Sequence, residues 1–171
     1  PEGRWAELTM EGDGHTLFNE ETAEANEGLP PEQQAFTIDQ GITVTNRRDF
    51  LRIDVSPYAY AIRREDVTSV MPSFSSVDFV EDGVGNPVKM HANRDLITGL
   101  LKGQLDFDGF VISDWEGIHQ IPDPTDPTNT GLTPFKVRTA ANAGIDMFMQ
   151  PNNAAVFIDM LLAEVEAGRV S

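Results

Sequence analysis

The sequence predicts an α/β protein built on a parallel sheet, and three observations carry that expectation. Val67-Thr68-Ser69-Val70-Met71, Phe110-Val111-Ile112 and Ile145-Asp146-Met147-Phe148-Met149 are short, largely apolar runs that read as buried strands. Helical patterns separate them, so the order is helix, strand, helix, strand, helix, strand, helix. Buried strands joined by helices imply parallel pairing with right-handed crossovers. Three strands are too few to close a barrel. A doubly wound sheet would fit the order, but no Gly-rich turn runs directly from strand to helix; Gly83-Val84-Gly85 sits in a loop and is a weak phosphate signal.

Each element has a local cause. Residues 1–40 read as an acidic, loop-rich segment: ten acids stand against one base, Arg4, in the first 39 residues, and the sparse apolar residues show no period. The remainder, 41–171, is expected to form the structured unit. Asn46 caps a short helix through Phe50 and Ile53. Ser56-Pro57 reads as an N-cap and first-turn pair opening a second helix near Tyr58–Arg64. After the first strand, 77–88 reads as a loop because Gly83, Gly85 and Pro87 stand among charges. Asn93 caps the next helix, Asp95 faces the positive end of its dipole, and Gly103 is the expected stop. Four prolines between 122 and 134 impose a loop. A helix over 135–142 ends at Gly144, and a last helix with a 3.6-residue apolar period runs from about Asn153 to Gly168.

Composition narrows the functional classes. The chain has 171 residues with 40% hydrophobic content, enough for one domain or part of a larger one. Twelve Lys plus Arg against 28 Asp plus Glu give a formal charge of −16, which argues against nucleic acid or an anionic membrane as partner. Zero cysteines remove disulfides, thiolate catalysis and Cys-based zinc sites. No stretch approaches the roughly 20 apolar residues of a membrane span. Pro1-Glu2-Gly3-Arg4 has neither a signal-peptide pattern nor an initiator Met, so an excerpt of a longer or processed chain is expected.

In parallel α/β folds function gathers at the carboxyl ends of strands. Ser73-Phe74-Ser75-Ser76, Ser113-Asp114-Trp115 and Gln150-Pro151-Asn152 occupy those ends. Asp114 stands out: an acid one residue beyond Phe-Val-Ile sits at the rim of a core, and the neighbouring Trp115 offers a face that stacks on a sugar ring. Capping the turn at Glu116-Gly117-Ile118 is the competing role for Asp114. His15, His91 and His119 show no metal-ligand spacing; His91 is expected to order the loop before Asn93. Asp123 and Asp126 lack an EF-hand pattern.

Gly109-Phe110-Val111-Ile112-Ser113-Asp114-Trp115 resembles the nucleophile motif of glycoside hydrolase family 3. The flanks agree in order and spacing: Ser69-Val70-Met71-Pro72-Ser73-Phe74-Ser75-Ser76, Lys89-Met90-His91-Ala92-Asn93-Arg94, Leu96-Ile97-Thr98-Gly99 and Ala143-Gly144-Ile145-Asp146-Met147-Phe148-Met149. The likeness covers about residues 38–170 and is to β-glucosidases and exo-β-glucanases, including the plant type.

The resemblance implies a partial TIM-like (β/α) barrel, about the last three strand–helix units of a catalytic domain followed in the family by a second α/β domain. It places Asp114 on the catalytic nucleophile, Trp115 beside the glucose site, and Met71 and Met149 on the pocket wall. Phe74 falls where relatives often carry Tyr, whose hydroxyl can bond near the nucleophile; Phe has none. Asp146 resembles a residue that supports the barrel mouth.

The implied reaction is a double displacement that retains the β configuration and releases glucose from non-reducing ends of a β-glucoside or β-glucan oligosaccharide. It needs no metal and no cofactor. The acid/base comes from sequence outside this chain, so the isolated piece is expected to be inactive. Glu116 is too local for that role, since retaining carboxyls stand roughly 5 Å apart across the sugar. The resemblance also implies a secreted or periplasmic location. Two alternatives remain open at this point: a catalytically inactive sugar-binding relative, and a non-sugar α/β binding module using the acidic arm.

Overall fold

The computed structural model describes residues 41–170 and two short strands within the preceding segment, β1 (Thr16–Leu17) and β2 (Phe36–Thr37), which pair in parallel. The acidic loop-rich segment expected over 1–40, His15 with it, otherwise lies outside the described residues.

The functional end is organised by a small parallel sheet. Strand β4 (Ser69–Val70) pairs with β7 (Phe110–Val111), and Ile112 bridges in parallel to Met147. The three apolar runs therefore lie side by side, with the 110–112 run in the centre. Helical segments connect them, as the alternating order requires, and the chain has a mixed α/β fold. The strands are shorter than the runs that predict them. At the third run the reason is visible: Asp146 Oδ2 accepts the Val111 N–H at 2.8 Å, while the Asp146 and Met147 N–H groups both donate to the Val111 carbonyl. A side chain takes the place of a ladder partner, so only one bridge forms.

A second sheet departs from the expected loop over 77–88. Strand β3 (Ile42–Thr45) pairs in parallel with β5 (Ser76–Phe79), and β5 pairs antiparallel with β6 (Val88–Lys89). Glycine and charge content hid these strands, whose state is decided by distant backbone partners: Ser76 N donates to the Gly41 carbonyl at 2.8 Å. Gly83 (φ 88) and Gly85 (φ 105) make the turn, and Gly85 N donates to Asp78 Oδ2 at 2.7 Å.

Asn46 caps helix α1 (Arg47–Phe50) as its residue type dictates, accepting the Asp49 N–H. Ser56 does not open a new helix. It has helical dihedrals, and α1 runs through a π-helical turn (Leu51–Val55) into α2 (Ser56–Arg64). Pro57 has no N–H and its ring crowds the carbonyl four residues back; widening the preceding turn accommodates it without a break.

Asn93 accepts the Leu96 N–H at 3.1 Å and starts the π-helical segment Asp95–Gln104. Gly103 does not end it. The left-handed turn falls at Asp106 (φ 58), after Leu105 N has bonded to the Leu100 carbonyl.

Helix α3 (Pro134–Ala143) begins at Thr133, whose hydroxyl accepts the Lys136 N–H, and ends at Gly144 with φ 106. A Cβ at Gly144 would also stand 2.5 Å from Thr98 Oγ1, so glycine is required there twice over. Helix α4 (Ala154–Glu166) follows, and Gly168 adopts φ 67 just beyond its end. The core joins Ile97 and Leu101 to Val111, Ile118, Val137, Ala140 and Phe157, with Phe148 stacked near Phe157 at 4.6 Å.

Candidate functional site

The carboxyl ends of the three parallel segments carry the side chains singled out by sequence. Met71 follows β4, Asp114 and Trp115 follow β7, and Met149 lies two residues beyond the Met147 bridge. Asp114, Met71, Phe74 and Met149 are half-buried; Trp115 is 56% exposed, its indole open to a ligand.

The backbone around Asp114 is held on every side. The Asp114 N–H donates to His91 Nε2 at 2.9 Å. Its carbonyl accepts from Ser113 Oγ at 3.0 Å and from Gly117 N at 3.0 Å. Ser113, fully buried, accepts the Met149 N–H on the same hydroxyl oxygen at 2.8 Å, and Glu116 N donates to the Met149 carbonyl at 2.9 Å. These bonds tie the second and third strand ends together. The carboxylate is oriented too, since Oδ1 accepts the Trp115 N–H at 2.6 Å. The backbone of its own turn thus supplies one donor to this acid.

His91 approaches from the 3₁₀ turn Met90–Ala92, 23 residues upstream. It is buried, and Phe74 stacks toward its ring at 6.0 Å. Since Nε2 accepts a hydrogen bond, that nitrogen carries no proton and the ring is neutral with its proton on Nδ1. Nδ1 faces the Ser73 backbone, short of full hydrogen-bond geometry. Burial, then the nearby Lys89 charge, push the His91 pKa down to about 4. Lys89 itself donates to the Phe74 carbonyl at 2.7 Å and to Gln120 Oε1 at 2.9 Å.

Glu116 has a left-handed backbone (φ 49), and its carboxylate accepts from Asn152 Nδ2 at 3.0 Å and faces His119 Nδ1 at 3.9 Å. His119 Nε2 pairs with Gln150 Oε1 at 2.9 Å. Asp146 holds Lys102 Nζ at 2.6 Å as well as the N–H of Val111, the last residue of β7.

Sequence reasoning missed Lys136. This buried lysine donates to the carbonyls of His119, Asn129 and Gly131 at 2.7, 2.7 and 2.9 Å, and burial lowers its pKa. It fastens the Pro-rich loop to the turn that follows Asp114. Asp123, which lacks an EF-hand pattern, accepts from Thr125 and Thr133, and those hydroxyls hold its pKa down at about 2. Among the described residues, no cluster of three His, Asp or Glu has metal-site geometry, and no helix is long and apolar enough to cross a membrane. A lone Lys at a buried helical position gives no signal of its bonding; the Pro-rich loop just before the helix, whose prolines bring carbonyls without N–H groups, is the one hint the sequence holds.

Comparison with known proteins bears on this arrangement. The exo-1,3/1,4-β-glucanase of a Pseudoalteromonas species is 30% identical and superposes with a TM-score of 0.59 over 77% of this chain and 14% of its own. The family 3 β-N-acetylglucosaminidase of a Paenibacillus species is 26% identical, with a TM-score of 0.61 over 78% of this chain and 24% of its own. Beta-glucosidase B of Emericella nidulans is 27% identical over 79% of this chain, and a beta-xylosidase of Formosa agariphila 30% over 61%. The chain spans only 13% and 14% of those two relatives' lengths. The family model described as "Glycosyl hydrolase family 3 N terminal domain" matches residues 37–171, the stretch that holds all three parallel segments and the Asp114 turn. On that match the chain belongs to glycosyl hydrolase family 3.

Proposed function

We propose that this chain is part of a retaining, exo-acting β-glucosidase or β-glucanase in which Asp114 is the nucleophile. The observation that carries the reading is the Asp114 turn: a half-buried carboxylate at the end of a central parallel strand, its backbone held by His91, Ser113 and Gly117 and its Oδ1 by the Trp115 N–H. A carboxylate anchored this way attacks a sugar without first reorganising.

In the proposed reaction an Asp114 oxygen bonds to the anomeric carbon as the glycosidic C–O bond breaks. The electron pair leaves with the aglycone oxygen, which takes a proton from a second carboxyl group. Water, deprotonated by that same group, then displaces Asp114 and restores the β configuration. Trp115 offers its face to the sugar, and Met71, Phe74 and Met149 supply apolar wall. Glu116 is engaged by Asn152 and His119, so the acid/base comes from elsewhere in the polypeptide. The chain then forms about the last three strand–helix units of a (β/α) barrel, completed by the rest of that barrel and a second α/β domain. No metal or cofactor takes part, and the enzyme is secreted or periplasmic; cell fractionation checks the last point.

A 2-deoxy-2-fluoro-β-glucoside with a dinitrophenolate leaving group tests the nucleophile in the complete polypeptide. The expected result is covalent mass on the peptide containing Asp114, and a fall of about 10³-fold or more in kcat for Asp114→Asn. Label on another residue, or an Asp114→Asn enzyme that hydrolyses aryl glucosides at the wild-type rate, overturns the assignment. The resemblance to a beta-xylosidase supports a second substrate class, β-xylosides. Aryl glucoside and xyloside compared by kcat/KM decide between them.

A further inference from the structure

We infer that His91 is a positioning residue for the nucleophile, holding Asp114 in register by accepting its backbone N–H on Nε2. The inference rests on the reading of Asp114 as nucleophile and adds what sets that residue's place.

Three features converge on the contact. The first is direction. His91 is the acceptor, so only the neutral ring with a bare Nε2 can serve. The second is enclosure. A Cβ built on Gly117 would stand 2.5 Å from Nε2 and 2.6 Å from Cε1 of His91, so the chain packs backbone directly against the ring at this point. Phe74 flanks the ring, and the residue is 1% exposed. The third is economy of partners. The Asp114 N–H sits where the central strand stops and the turn begins, and neither neighbouring strand segment accepts it. His91 takes over as the partner for a donor that the sheet leaves behind.

The groups facing the ring are Lys89 from the preceding strand, the Ser73 backbone and Phe74 from the β4–β5 connection, and the Asp114–Gly117 turn. Lys89 is the charged member and repels a proton on the ring, as burial does. His91 therefore acts on the nucleophile through geometry and exchanges no proton with it.

Two substitutions separate this role from simple space-filling, because an amide can mimic either ring nitrogen. In His91→Gln the side-chain oxygen reaches the place of Nε2; in His91→Asn it reaches only the place of Nδ1. Both are measured in the complete polypeptide by the rate of fluoroglucoside trapping per mole of folded enzyme. His91→Asn should trap about 10- to 100-fold more slowly with little change in the reagent's dissociation constant, as expected when a reacting group is misplaced by a fraction of an ångström to an ångström. His91→Gln should recover most of the rate. Equal rates for wild type and both variants, or equal losses in both, overturn the inference. If neither variant folds, Gly117→Ala replaces them by pressing a methyl group onto the ring: slower trapping in its folded fraction supports the role, and an unchanged rate removes it. A wild-type enzyme that is not labelled on Asp114 instead overturns the nucleophile assignment, so the two failures are told apart.

Discussion

At the scale of single residues, the Asp114 turn depends on a histidine that must stay neutral. His91 titrates at about 4 in the folded protein, below its ordinary 6.5, because burial and Lys89 disfavour the charged ring. The unfolded chain binds a proton near 6.5 and the folded one does not until about pH 4, so the unfolded state gains protons first as pH falls. Stability tied to this group is fully present above pH 6.5, declines toward about pH 4, and levels off below. The total loss is on the order of 3 kcal/mol. Urea unfolding of wild type and His91→Gln between about pH 7 and 4 checks it: the wild type should lose more stability over that interval, and parallel curves would contradict the assignment. Asp123 acts in a different window. Its carboxyl is held at about 2 by the Thr125 and Thr133 hydroxyls, so its contribution is present above pH 3.8 and disappears below that, as pH falls toward 2.

At the scale of elements, helix α3 is the brace beneath the site. Thr133 accepts the Lys136 N–H and donates its hydroxyl proton to Asp123 Oδ2 at 2.6 Å, so one side chain both caps the helix and pins the Pro-rich loop. Lys136 then clamps that loop to the turn after Asp114. Replacing Thr133 by Ala should cost about 1–2 kcal/mol, the ordinary worth of a Thr cap. It should also loosen the loop, which faster amide exchange over residues 123–133 would reveal. Replacing it by Ser, which keeps the hydroxyl, should restore both. A Thr133→Ala protein with unchanged melting and exchange would show that the cap contributes nothing. The neighbouring element, α4, carries a different device: Glu164 is buried and engages Arg169 at 2.7 and 2.9 Å with Arg138 at 3.5 Å, and these partners, Arg169 foremost, lower its pKa. Read by period alone, that glutamate falls on an apolar stripe; the two arginines are what let it lie buried there.

At the scale of the whole molecule, the described residues leave apolar side chains exposed, those of β3 and α4 among them. Ile42 and Val44 of β3 are exposed, as are Val156, Ile158, Leu162 and Val165 of α4. The chain also spans a small share of its relatives' length, 13% for the Emericella nidulans enzyme. The proposed supply of the acid/base from outside these residues leads to a direct expectation: expressed alone, the 171-residue chain should hydrolyse no aryl glucoside, and the polypeptide that contains the proposed acid/base should. Its exposed apolar faces should also make it bind a hydrophobic dye more strongly than the complete protein does. Turnover by the isolated chain at a rate near that of the complete enzyme would place the second carboxyl group within these residues.

What the sequence determined alone were the features whose causes are local. Asn46 and Asn93 cap helices because a short polar side chain reaches the N–H three residues ahead, and Gly144 ends α3 because only glycine adopts φ 106 cheaply. The three apolar runs and the acid at the end of the second are legible for the same reason, and so is the α/β class. Tertiary structure alone decided the β3–β5–β6 sheet, the unbroken passage from α1 to α2, the buried bonds of Lys136, and the meeting of His91 with the Asp114 N–H. Each of these joins groups whose pairing depends on which backbone groups remain unsatisfied once the core has closed, and a linear pattern of side chains does not encode that remainder.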